Sequence, residues 1–279
     1  MLMRLKRTAL VLLSAAVLLC SAGCGLPKEA REAKARGQEL LSSGDYAGAA
    51  EAFGTALEDT GHASKKHVRD LLEWRADSEF CAGDYGAAKA TWTRLLEEYG
   101  EKAEYTYYLA ASEAGLGEAS QALADYRSAR DMDRKHASFE TPGCVTAFRM
   151  TGQALSDAGM TTEAAELCNE EFSAGAEHPE VYNRAGMCCM AEKNYEKARE
   201  MFEKGLEKRA SGDTEAAAAA QEISEKELAV NLAVLAEYTG DYAGALEAFK
   251  DYRDRYGADE TVDREIMFLE SRVQNPAGE

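Results

Sequence analysis

The chain has 279 residues and a formal net charge of −18 at pH 7. That balance excludes ordinary nucleic-acid binding, which needs Lys and Arg to displace phosphate counterions, and a basic helix lying flat on an anionic lipid surface. Alanine and glutamate are abundant, and only Pro27, Pro142, Pro179 and Pro276 interrupt, so the composition favours helix throughout.

At the amino end, Arg4, Lys6 and Arg7 precede an apolar run from Ala9 to Leu19 broken only by Ser14. Its roughly eleven residues fall short of the ~20 that a membrane-spanning helix needs. A basic flank, a short apolar core and small residues read as a secretory leader over residues 1–23. The segment Ser21-Ala22-Gly23-Cys24-Gly25 resembles the bacterial lipobox, with Ser21 where that family usually has leucine. The resemblance implies acylation of Cys24, a short tether through residue 29, and a lipid anchor on the extracytoplasmic side of the cell membrane. A cleavable leader with an incidental cysteine is the competing reading. The leader removes three positive charges and no negative ones, so −18 becomes −21 in the mature chain. Such a field steers basic partners inward.

The body then repeats itself. Gly44-Asp45-Tyr46, Gly83-Asp84-Tyr85 and Gly240-Asp241-Tyr242 are copies of one tripeptide. Five residues past each glycine stand Ala49, Ala88 and Ala245; nine past stand Phe53, Trp92 and Phe249. The same frame accepts Gly117 with Ala122 and Tyr126, Gly159 with Ala164 and Cys168, and Lys193 with Ala198 and Phe202. Seven residues before the six anchors stand Gly37, Ala76, Ala110, Gly152, Gly186 and Ala233, all small. A small residue, a turn, then alanine and a bulky residue four apart lets two antiparallel helices approach closely. Glycine at the turn supplies left-handed backbone, and the Asp or Asn beside it can cap the next helix.

Two insertions interrupt the period. One runs from His136 to Cys144 and contains Pro142-Gly143; the other runs from Arg209 to Asp213. Asp213 or Thr214 is placed to cap a long helix ending near Tyr238. Beyond Gly257, Val262, Ile266, Leu269 and Val273 are spaced by three and four, as expected of a helix capping the last unit.

This pattern resembles the tetratricopeptide repeat, a helix–turn–helix unit of about 34 residues. The resemblance implies an all-α, right-handed superhelical solenoid of about six hairpins over residues 30–257, followed by a capping helix and tail over 258–279. It also implies a groove lined by the first helix of each pair, which in the family holds a peptide or a partner helix. Carried over by register, the groove candidates are Lys34, Gln38, Glu73, Asp77, Tyr107, Arg149, Gln153, Asn183, Met187, Val230 and Val234. The Lys/Asn arrangement with which some relatives grip a terminal carboxylate is not visible.

Catalytic constellations are missing from the sequence. The histidines His62, His67, His136 and His178 have no helical metal spacing, and zinc, nucleophile-elbow, P-loop and calcium-loop motifs are absent. Gly115-Leu116-Gly117 is a repeat turn with Ser120 where a third glycine would stand. Met187-Cys188-Cys189-Met190 diverge by about 100° per residue and cannot face one ion. No metal, cofactor or catalytic residue is therefore expected. Beyond the leader and Cys24, five cysteines remain, an odd number with irregular spacing and no disulfide framework. Cys168 and Cys189 fall at core positions, and spacing alone does not argue for a Cys144–Cys168 bridge.

The expected function is an anchored scaffold that assembles protein partners, basic ones among them, in the bacterial cell envelope. The alternatives are an envelope protein capturing a peptide or small ligand in the groove, and an accessory subunit of an envelope enzyme.

Overall fold

The structure, a computed structural model, describes residues 25–208, 215–257 and 260–274. The leader, Cys24, Asp213 and Thr214 lie outside the described residues. Within them the chain forms thirteen α-helices and one turn of 3₁₀ helix, His136–Ser138, with no strand. They fall into two compact units.

The N-terminal unit spans residues 25–134 and 141–158. It holds α1 (Lys28–Ser42), α2 (Tyr46–Glu58), α3 (Lys65–Ala82), α4 (Tyr85–Tyr99), α5 (Ala103–Gly115), α6 (Ala119–Met132) and α7 (Cys144–Asp157). The C-terminal unit spans residues 135–140 and runs on from 159. It holds α8 (Thr161–Ser173), α9 (Pro179–Ala191), α10 (Tyr195–Glu207), α11 (Glu215–Tyr238), α12 (Tyr242–Tyr256) and α13 (Glu260–Gln274). Within each unit, helices adjacent in the chain pack as neighbours.

The six anchor residues all adopt left-handed backbone. Gly44, Gly83, Gly117, Gly159 and Gly240 have φ between 73° and 81°, and Lys193, the one non-glycine among them, has φ 59°. At Gly44 the amide donates to Leu41 O and the next amide, of Asp45, to Leu40 O. That pair of bonds closes the helix end and satisfies carbonyls that would otherwise be orphaned. The same pair recurs at Gly83, Gly117, Lys193 and Gly240. Asp45, Asp84, Asn194 and Asp241 then accept from the amide three residues on, capping the following helix. Glu118 and Met160, at the same step, make no such cap.

The predicted packing device is realised. All six small residues before the turns are buried, as are the alanines and bulky residues after them. A Cβ at position 37 would lie 2.8 Å from Phe53 Cε1, and the Phe202 ring fills the same place beside Gly186. Hydrogen in place of a side chain therefore lets each ring seat against the opposing backbone. Successive pairs are also tied by the tyrosine after the turn. The Tyr85 ring lies where a Cβ at Gly115 would be 2.6 Å from Cε2, and Tyr195 meets Tyr238 with ring centroids 6.4 Å apart. Gly115 and Tyr238 both stand two residues before their own anchors, so this contact links equivalent places in different repeats.

The segment expected to be a tether through residue 29 is instead packed on the first hairpin, with α1 beginning at Lys28. Leu26 and Ala30 are buried in the cluster of Ala49, Phe53, Ala56 and Leu71, so the chain is docked from Leu26 onward. At the other end, α11 is 24 residues long, as its expected extension requires. On α13, Val262, Ile266 and Leu269 are buried with Phe249 and Tyr252. Val273 departs from expectation: it is exposed, because it sits in the last turn beyond the reach of that cluster.

Candidate functional site

Glu73, Asp77 and Cys81 stand four residues apart on α3 and so share one face. Against it α5 sets Glu104, Tyr105 and Tyr108. Tyr105 donates its hydroxyl to Glu73, and Tyr108 stacks on buried Trp92 with ring centroids 4.9 Å apart and planes 11° from parallel. Arg69 approaches Glu73 at 3.6 Å, and Lys102 pairs with Glu104. Among the described residues no cation pairs with Asp77. Burial first, then Glu104 and Glu73, push its carboxyl up to about 7. Burial and then the Asp77 charge push the Cys81 thiol up to about 12. Tyr108 is raised too, by burial and then by Asp77. Asp77, Glu73 and Glu104 all remain partly exposed. This face is an acidic surface that lacks one counter-charge.

The sequence register named Glu73 and Asp77 but missed Glu104, Tyr105 and Tyr108. These become visible only when α5 is laid beside α3, since none occupies the positions chosen from the repeat. Lys34 and Gln38 on α1, and Arg149 and Gln153 on α7, are at least partly exposed. Gln153 Nε2 donates to Asp157 Oδ1 at 2.8 Å.

Three groove assignments are corrected. Tyr107 is fully buried; its hydroxyl donates to Asp133 at 3.4 Å and its ring meets Tyr126 at 5.6 Å. The insertion closes over it, since a Cβ at Gly143 would lie 3.2 Å from Tyr107 Cβ. Asn183 is fully buried as well. It donates to Glu227 at 2.9 Å and accepts from Asn231 at 2.7 Å, because the long α11 packs on α9. Arg184 belongs to the same network, 3.0 Å from Glu180 and 3.7 Å from Glu227. Buried charges persist only when so paired and hydrogen-bonded. Val230 is buried in the cluster that also holds Val262, Ile266 and Leu269 of α13, and Val234 packs partly buried against it; the positions carried over for the last repeat thus belong to its core. Met187 remains partly exposed on α9, beside the cluster of Cys189 and Phe202.

Among the described residues no group of three or more His, Cys, Asp and Glu could hold a metal ion. No described helix is long and apolar enough to cross a membrane. All five described cysteines are free thiols.

Family models described as tetratricopeptide repeat match residues 74–137, 112–176 and 179–211. Among solved structures, the chain is similar to PilW, described as a widely conserved type IV pilus biogenesis factor. Identity is 15%, 87% of this chain and 99% of that chain are covered, and the TM-score is 0.57. It is also similar to the assembly chaperone of RpL4 (Acl4), at 16% identity over 88% of this chain and 97% of that one, TM-score 0.51. No curated protein matches the chain in sequence. The fold is therefore an all-α tetratricopeptide-repeat solenoid.

Proposed function

We propose that the chain is a non-catalytic scaffold, lipid-anchored through Cys24 on the extracytoplasmic face of a bacterial membrane, that holds a basic protein segment on the α3–α5 face. Tetratricopeptide repeats are scaffolds for protein–protein interaction, and that coarser statement follows from the fold. The finer reading rests on one observation: three partly exposed carboxylates converge, and one of them faces no cation. A lysine or arginine from a partner supplies the missing charge, as Lys102 already does for Glu104.

The test is a titration of lysine-rich and glutamate-rich peptides at low salt across pH 5.5 to 8.5. A bound cation favours ionised Asp77, so affinity for the basic peptide should rise as pH rises through about 7. Asp77→Asn should remove that rise, and Glu73→Gln or Glu104→Gln should weaken binding severalfold. Equal binding of both peptides, or an unchanged pH profile in Asp77→Asn, would refute the basic-partner reading. Without partner, the sign is reversed for folding. A carboxyl raised from 3.8 to about 7 holds its proton in the folded state, so stability falls as pH rises between those values. Asp77→Asn should flatten that fall in thermal melts.

A further inference from the structure

Helices α8, α9 and α10 line an open cleft of about 670 Å³ in the C-terminal unit. Cys168 from α8 and Cys188 from α9 line it, together with Phe172, Tyr182, Lys197 and Met201. Phe172 and Tyr182 meet edge to face, ring centroids 5.1 Å apart, as an aromatic wall. Both thiols are free, and each sulfur is near enough to perturb the other's ionisation. Their exposure differs: Cys168 is buried, while Cys188 is partly exposed. Cys168 holds a core position of the repeat, but Cys188, from the neighbouring helix, does not, and both sulfurs face space large enough for a small molecule.

We propose that Cys168 and Cys188 form a thiol–disulfide exchange pair that accepts a low-molecular-weight disulfide in this cleft. Cys188 is the outer, attacking sulfur. Its thiolate bonds to one sulfur of the incoming disulfide, whose S–S bond breaks and releases the other half as a thiolate. Cys168, losing its proton to solvent, then attacks the Cys188 sulfur of the mixed disulfide and expels the second half as a thiolate, which takes up a proton. The first released thiolate is likewise protonated, so the protein loses two electrons and two protons, and the small disulfide becomes two thiols. The environment supports this order. The neighbouring Cys168 draws the Cys188 thiol below its ordinary range, aided by Arg184, while Cys188 and burial hold Cys168 above its own. Reactivity follows thiolate character and access. The product staples α8 to α9 across a repeat junction.

Reduced full-length protein is incubated with glutathione disulfide, quenched in acid, alkylated with N-ethylmaleimide and digested with trypsin. Peptides 150–184 and 185–193 carry Cys168 and the Cys188-Cys189 pair; they should appear joined, with fragmentation placing the bond at Cys188. Cys168→Ser should accumulate glutathione on Cys188, and Cys188→Ser should yield neither product. In the wild type, which does not depend on a substitution being tolerated, Cys188 should react about tenfold faster than Cys81, whose thiol is less acidic. If 168 and 188 both stay alkylatable, or Cys188→Ser oxidises as fast as the wild type, the pair is only packing.

Discussion

At the scale of single residues, the turn positions decide most. Lys193 performs in left-handed backbone what glycine performs at the other anchors. A non-glycine residue there costs ~1–2 kcal/mol, partly offset by the greater freedom glycine has when unfolded. Lys193→Gly should therefore raise stability by about 0.5–1 kcal/mol, read as a shift in urea midpoint without change in slope. The opposite sign is expected at Gly37, where a Cβ would press on the Phe53 ring. Gly37→Ala should cost about 1–3 kcal/mol by overpacking. The double variant with Phe53→Leu should cost less than the two single changes together, since the clash is shared. Additivity would show that ring and glycine do not meet.

At the scale of elements, α13 has two faces with different consequences. Leu269 is fully buried, while Met267 is 70% exposed. Leu269→Ala should destabilise the last hairpin by about 2–5 kcal/mol, measurable as faster amide exchange in α11 and α12. Met267→Ala should stay within about 0.5 kcal/mol. The same helix shows what was legible beforehand. Val262, Ile266 and Leu269 follow from periodicity alone, as do the six turns and the small–alanine–bulky sites, because close helix packing writes a local and regular signature. Surface assignments fared less well. Tyr107, Asn183 and Val230 occupy the same place relative to their turns, yet each is buried together with something irregular: the Pro142-Gly143 insertion, the elongated α11, and the cap. A repeat register describes what all units share; these three burials come from what single units add. The Glu104 partner of Asp77 was hidden for a related reason, since only packing between neighbouring first helices brings it near.

At the scale of the whole molecule, the formal charge of −18 makes association with a basic partner a matter of long-range attraction as well as contact. Its rate should fall steeply between low and physiological salt, as the Debye length shrinks to about 8 Å. The lipoprotein reading is tested separately. A cell expressing the chain with a labelled fatty acid should place label in the membrane fraction, and Cys24→Ala should remove the label. Continued labelling of that variant would overturn the assignment of the anchor.

The burial of Leu26 against the first hairpin leaves hardly any slack between an acylated Cys24 and folded protein. Two residues reach at most about 7 Å, less than the depth of a lipid headgroup layer. An anchored copy is thus a fixture rather than a float on a line, with α1 and α2 held at the bilayer surface. If the proposed anchor holds, a bound partner would be brought to the membrane at a set height, and a spacer inserted before Leu26 would test whether that height matters.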